Sequence, residues 1–236
     1  MSFDTKAFVY DKNSDIQQTI AKHLLKLICF KNESITLLDI GCGTGYIAKE
    51  IKKIDNKIAI YQIDKSQNMC KFATKHAKTN CCSIEDLDKS TFKIDRFDII
   101  ISSMTIQWCD DITFVFKKVK DLLSTNGRVA IAIPLDTSFQ SIKDEMHNIN
   151  LDPEMFFKKM PIAKDVKNLA ISLNWEVSFV KFTKKYKNLL HFFKIINNSG
   201  AKDYSLKTKQ SNVFKIKKLI DKEISTEWSI AFITSM

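Results

Sequence analysis

The sequence predicts an α/β fold, a mainly parallel sheet covered by helices on both faces. Strand and helix signals alternate through the first 134 residues, and the first buried strand runs straight into a glycine-rich turn that opens a helix. Size agrees with this. At 236 residues, 44% apolar and 27% charged, the chain is long enough for one large domain with a sizeable core.

The elements follow in order. Over 14–30, Ile16, Ile20, Leu24, Leu27 and Ile28 share one helical face, with Ser14 or Asp15 as its cap. Residues 35–40 read as a short buried strand, and the helix after the glycine turn runs to about Lys53. A second strand over 57–63 ends at Asp64, and Ser66 caps a helix to about Lys78. Residues 81–84 give a faint third strand and 97–102 (FDIIIS) a strong fourth. A helix over 110–123 stops at Asn126-Gly127, and a fifth strand spans 128–134. Strands joined by helices imply right-handed crossovers. The second half is less regular. It carries helix signals at 137–148, near Pro153 and Pro161, at 188–198 before Gly200, and at 215–222, with strand signals at 175–182 and 227–234. No repeat and no linker divides the chain.

Composition removes several classes. Three prolines and five glycines exclude collagen-like and low-complexity architectures. Cysteines 29, 42, 70, 81, 82 and 109 form no CxxC pair, so they read as reduced cytosolic thiols rather than a zinc or disulfide framework. Histidines 23, 76, 147 and 191 are dispersed, and no metal is expected. The first residues lack a signal-like apolar stretch, and no apolar run reaches the roughly 18 residues of a membrane span, so a cytoplasmic protein is expected. Net charge is +10, and residues 151–236 hold 16 lysines against 8 acids. Only Arg96 and Arg128 offer the planar fork that reads phosphates and guanines, so nucleic acid is not an expected partner. The basic last third is either a solvated surface or one that steers an acidic partner.

The chemistry concentrates in Leu37-Leu38-Asp39-Ile40-Gly41-Cys42-Gly43-Thr44-Gly45. Glycines let such a turn adopt positive φ and let its backbone approach a ligand. The dinucleotide fingerprint G-x-G-x-x-G places its third glycine one residue further on, and a P-loop closes with G-K-[S/T]. Here the spacing is G-x-G-x-G, with Asp39 at the strand end. An acid there suits a ligand bearing an ammonium group rather than a pyrophosphate. Asp64, 19 residues after Gly45, ends the next strand; taken alone it would read as a turn residue.

This acid-then-GxGxG loop resembles the first motif of class I S-adenosylmethionine-dependent methyltransferases. The resemblance implies a Rossmann-like mixed sheet of seven strands with the last antiparallel. It also implies a core over 35–134, a helical lid from 1–30 and 136–172, and closing strands and helices in 173–236. S-adenosylmethionine is the implied cofactor, with Asp39, Gly41, Gly43 and Gly45 at its loop, Asp64 on the ribose hydroxyls, and Lys65 and Ser102 in the binding set. A carboxylate accepts from both hydroxyls of such a diol. The family usually has an acid for the adenine amino group after the third strand. Ser83 stands there, so either Ser83 or a carboxylate shifted along the loop (Glu85 or Asp86) takes that contact, with Ile84 against the ring.

A narrower resemblance attaches to the stretch after strand four. It lacks both the Asn/Asp-Pro-Pro-aromatic motif of amino-methylating nucleic-acid enzymes and the Pro-Cys of cytosine-C5 enzymes. Instead Gln107-Trp108-Cys109-Asp110-Asp111 is similar to the malonyl-acyl-carrier-protein O-methyltransferases of biotin synthesis. Phe3, Ala7, Tyr10-Asp11 and Ile16-Gln17 agree with that family's N-terminal segment. Asn188-Leu189-Leu190 with Gly200-Ala201, and Glu227-Trp228-Ser229, resemble its later segments. The likeness implies methylation of the free carboxylate of malonyl-acyl carrier protein, an acidic substrate; the oligomeric state is not given by the sequence, with a monomer favoured. Tyr10 and Trp108 would be pocket walls and Gln107 a polar positioner. Departures are Lys6 for alanine, Ser103 where asparagine is common, Asn126-Gly127 for a glycine pair, and a poor match over 151–186. The rival readings are a methyltransferase for another small carboxylate or amine, and a cofactor-binding protein without catalysis.

Overall fold

The computed structural model describes residues 10–11, 13–28, 30, 35–88, 91–157, 159–198 and 222–235. Seven strands form one sheet: β1 (Thr36–Ile40), β2 (Ala59–Ile63), β3 (Lys78–Asn80), β4 (Phe97–Ser103), β5 (Leu123–Pro134), β6 (Glu176–Tyr186) and β7 (Ile224–Thr234). Their spatial order is β3-β2-β1-β4-β5-β7-β6. The first five are parallel, and β7 runs antiparallel between β5 and β6. The expected mixed sheet of seven strands is present, and its carboxyl end is where β1, β2 and β4 stop together.

Alternation along the strands builds two cores. Leu37, Ile99, Ile101, Ala130 and Ala132 face one side, where α1 (Asp15–Lys26), α2 (Tyr46–Ile54), α5 (Gln140–Asn148) and α7 (Leu189–Asn198) bury Leu24, Ile51, Met146 and Phe192 against them. Leu38, Ile100, Val129, Ile131 and Ile133 face the other side, against Val115, Phe116 and Val119 of α4 (Ile112–Leu122) and Val166 and Ala170 of α6 (Ala163–Ser172). A strand buried on both faces has no polar side to show, which is why the middle of β4 is the consecutive apolar run Ile99-Ile100-Ile101. Phe156, Phe157, Phe192 and Phe193 are buried and packed against one another at tilted and edge-on angles, with Phe139 and Trp228 close by. They pack the core.

Three expectations need correction. The third strand is Lys78–Asn80, not 81–84. Ser83 Oγ donates to Asp86 Oδ2 at 2.8 Å and accepts from Asp86 N, closing a turn at 84–86 that takes the chain away from the sheet. The preceding helix, α3 (Gln67–Ala73), is capped by Ser66 as expected, yet it ends five residues early. After α4 the chain enters β5 at Leu123 rather than breaking at Asn126-Gly127. The turn signal survives as a register irregularity: Phe97 pairs with Leu123, and the next pair is Ile99 with Arg128. The helix expected at 215–222 lies almost wholly outside the described residues, as do Phe3, Lys6, Ala7, Cys29, Gly200 and Ala201. Among the described residues no helix is long and apolar enough to cross a membrane, and no cluster of side chains suits a metal ion.

Candidate functional site

A cavity of about 410 Å³ opens at the carboxyl ends of β1, β2 and β4, roofed by α1. This is where open α/β sheets bind ligands. The glycine loop forms its floor. Gly41, Gly43 and Gly45 take φ values of 72°, 55° and 87°, all left-handed. The N–H groups of Gly41 and Cys42 donate to Ile63 O at 2.8 and 3.0 Å, tying the loop to the end of β2. A Cβ on Gly41 would stand 2.1 Å from Thr105 Cγ2, whereas one on Gly43 would meet nothing nearer than the Tyr10 ring at 3.9 Å. Gly41 is therefore needed for packing, and Gly43 leaves space open above the loop.

Asp64 stands at the loop's edge. Its Oδ2 accepts from Gly43 N at 2.9 Å and its Oδ1 from Ser66 N at 2.8 Å. A carboxylate oxygen can accept more than one hydrogen bond. The N-terminal segment closes over this region: Thr44 Oγ1 donates to Asp11 Oδ1 at 2.6 Å, and Tyr10 lies over Gly43. Burial raises the Tyr10 phenol well above its ordinary range, and Asp64 and Asp11 push the same way. Tyr10 therefore stays protonated and can offer a hydrogen bond but cannot act as a base.

Asp39 lies beneath the loop, fully buried and outside the cavity lining. Burial pushes its carboxyl up to about 7, against a lowering contact from Gln62, with Asp64 adding to the rise. Its Oδ2 accepts from Gln62 Nε2 at 3.5 Å. Ser102, Gly45 and Gln107 are also absent from the lining. Ser102 Oγ donates to Ile40 O at 2.9 Å and joins β4 to β1; Gln107 Nε2 donates to Met104 O at 2.6 Å and braces the turn after β4.

The other candidates gather round the cavity: Tyr10, Gly41, Gly43, Asp64, Lys65, Ser83, Ile84, Glu85 and Trp108 all line it. Burial would raise the Glu85 carboxyl, but its own backbone N–H, Cys109, Ser83 and Lys65 lower it overall, so it stays ionised. The roof is formed by Ser14, the N-cap of α1, and by Gln17, Gln18 and Ala21 of that helix, none of which was among the site residues expected from sequence. Residues 14, 17, 18 and 21 recur at helical spacing, and that was the available signal. Among the described residues of 136–172 none lines the cavity; α5 and α6 pack on β6 and β7 instead.

Sheet order, loop and cavity agree with the family evidence. Residues 38–131 match the Methyltransferase domain family, and the seven-stranded sheet has the order β3-β2-β1-β4-β5-β7-β6 around that matched core. It is 32% identical over 143 residues to the malonyl-[acyl-carrier protein] O-methyltransferase of Priestia megaterium, a match covering 59% of this chain and 52% of that protein. A protein of the same name from Bacillus cytotoxicus is 26% identical over 214 residues, 84% of this chain and 74% of the other. The chain thus spans about half the length of the first of these relatives. An S-adenosylmethionine-dependent methyltransferase structure from Archaeoglobus fulgidus superposes with a TM-score of 0.59 at 17% identity, over 97% of this chain and 98% of that one.

Proposed function

We propose that this protein transfers a methyl group from S-adenosylmethionine to the free carboxylate of malonyl-acyl carrier protein. The observation that carries the acceptor is the similarity to relatives of that name, which extends through the Gln107-Trp108 turn bordering the cavity. The residues present fit the cofactor. Asp64 offers acceptors for a diol, Gly43 leaves the loop open, and Ile63, Ile84 and Met69 give an apolar wall for a ring. Ser83 directs its hydroxyl to Asp86, so Asp86 is the shifted carboxylate that can accept from an adenine amino group.

The cofactor supplies an electrophilic methyl on a sulfonium. The chain's own work is to align the acceptor and to exclude water. A carboxylate is ionised at neutral pH, so no base is needed, and the protonated Tyr10 agrees with that. Tyr10, Trp108 and the roof of α1 make a shielded space, where two opposite charges that disappear in the transition state are least held back by solvent.

Two measurements test this. Calorimetric titration with S-adenosylhomocysteine should show binding. Labelled methyl from S-adenosylmethionine should reach malonyl-acyl carrier protein faster than malonyl-coenzyme A, and should not reach aconitate. Binding without transfer to any malonyl thioester would overturn the acceptor while leaving the class intact.

A further inference from the structure

Hydrogen bonding singles out two side chains on the cavity wall. Ser14, Gln18, Thr44, Ser83 and Thr105 all use their polar atoms on protein partners. Ser103 Oγ and Gln17 Oε1 are buried without a partner among the described residues, yet both residues line the cavity. Buried polar atoms are nearly always satisfied. Two unsatisfied ones on the wall of one cavity point to something that enters it.

Their placement says which end of the cavity they serve. Ser103 closes β4, and Gln17 belongs to α1, which packs over β4 and β5. Asp64 and Ser83 follow β2 and β3, on the far side of β1. The residue after Ser103 is held in an unusual state: Met104 has φ 58°, in the left-handed region a methionine rarely takes. Side chains of the same turn secure it, Thr105 Oγ1 donating to Ser103 O at 3.2 Å and Gln107 Nε2 to Met104 O at 2.6 Å. Ser103 is therefore presented by a braced turn rather than a loose loop.

We infer that Ser103 and Gln17 hold the carboxylate of the methyl acceptor, from floor and roof of the cavity respectively. This rests on the proposed reaction. A rotamer change at Ser103 and a turn of the Gln17 amide bring both groups to a ligand, small movements among staggered states. The amide must present its Nε2 end, since an ionised carboxylate only accepts. Neutral donors suit this reaction. The carboxylate loses its charge as the methyl arrives, so a fixed cation beside it would stabilise the ground state more than the transition state. A hydroxyl and an amide orient the oxygen with less of that penalty.

The test compares Ser103→Ala, Ser103→Thr, Gln17→Met and Gln17→Lys with the unaltered protein, using a malonyl thioester and S-adenosylhomocysteine. KM for the thioester should rise about tenfold in Ser103→Ala and in Gln17→Met, as for a lost hydrogen bond to a charged group. Affinity for S-adenosylhomocysteine should stay within about twofold, and Ser103→Thr should restore most of KM. Gln17→Lys should lower KM and lower kcat together. Unchanged KM in both alanine and methionine variants, or an equal loss of S-adenosylhomocysteine affinity, would overturn the inference alone. An unaltered protein that binds S-adenosylhomocysteine but methylates no malonyl thioester would overturn the proposed reaction, and this inference with it.

Discussion

Three glycines share one loop and one sign of φ, yet their substitutions should behave differently. Gly41→Ala drives a Cβ into the Thr105 side chain at 2.1 Å, on top of the roughly 1–2 kcal/mol of a left-handed non-glycine residue. It should lower the melting temperature sharply. Gly43→Val meets only open space and the Tyr10 ring, so the protein should fold, with a modest stability loss and little remaining affinity for S-adenosylhomocysteine. Retained affinity in a folded Gly43→Val protein would show that ligands do not approach this loop. Asp39 supplies a pH test. Its folded carboxyl titrates near 7, raised chiefly by burial, whereas an unfolded aspartate titrates near 4. Between those values the folded protein keeps a proton that the unfolded chain has released. Stability should therefore fall as pH rises through that window, by at most about 1.4 kcal/mol per unit, and level off above it. Thermal unfolding of Asp39→Asn at pH 5 and pH 8 should lack this slope. Parallel pH curves for the two proteins would remove the buried carboxyl as its source.

Among the elements, those with strong periodicity were legible and those shaped by local polar contacts were not. Strands β1 and β4 and helix α1 announced themselves because each buries an apolar face or both. Strand β3 did not. Its residues, Lys78, Thr79 and Asn80, are polar, and only their ladder to Tyr61, Gln62 and Ile63 makes them a strand. The apolar 81–84 looked the better candidate until the Ser83–Asp86 contact turned the chain. In the site, the glycine loop and Asp64 were legible from spacing. Which residues of the N-terminal helix would face the cavity was not, because nothing in a helix's periodicity says which strand end it will cover. The start of β5 gives an element-scale prediction. Gly127 sits in the irregular stretch, where a Cβ would come within 2.9 Å of Ser124 N and 3.0 Å of Phe97 O. Both neighbours are backbone and cannot step aside. Gly127→Ala should cost about 1–3 kcal/mol of stability in denaturant unfolding, with affinity for S-adenosylhomocysteine unchanged. An alanine protein as stable as the parent would mean that the irregularity relaxes freely.

At the scale of the whole molecule the question is what the charge does. Residues 151–236 carry +8 of the +10, and the acidic carrier protein of the proposed reaction is the partner such a field would steer. The lysines of β6 are poorer docking groups than their number suggests. Lys181 pairs with Glu227 at 2.8 Å, Lys185 with Glu223 at 3.6 Å, and Lys184 with Asp15. Lys184 is only 15% exposed and ties β6 to the start of α1, so its reversal to glutamate would loosen the roof rather than report on docking. Steering should come from the net field, which is screened over about 8–10 Å near physiological salt and acts mainly on association rate. kcat/KM for malonyl-acyl carrier protein should therefore fall as salt rises, while kcat/KM for a small malonyl thioester stays nearly flat. Lys185→Glu, at an exposed and loosely paired position, should lower the carrier-bound value at low salt and leave melting temperature nearly unchanged, since exposed pairs contribute about 0–1 kcal/mol. Salt curves of equal slope for the two substrates would mean that the lysines of the last third are solvated surface and steer nothing.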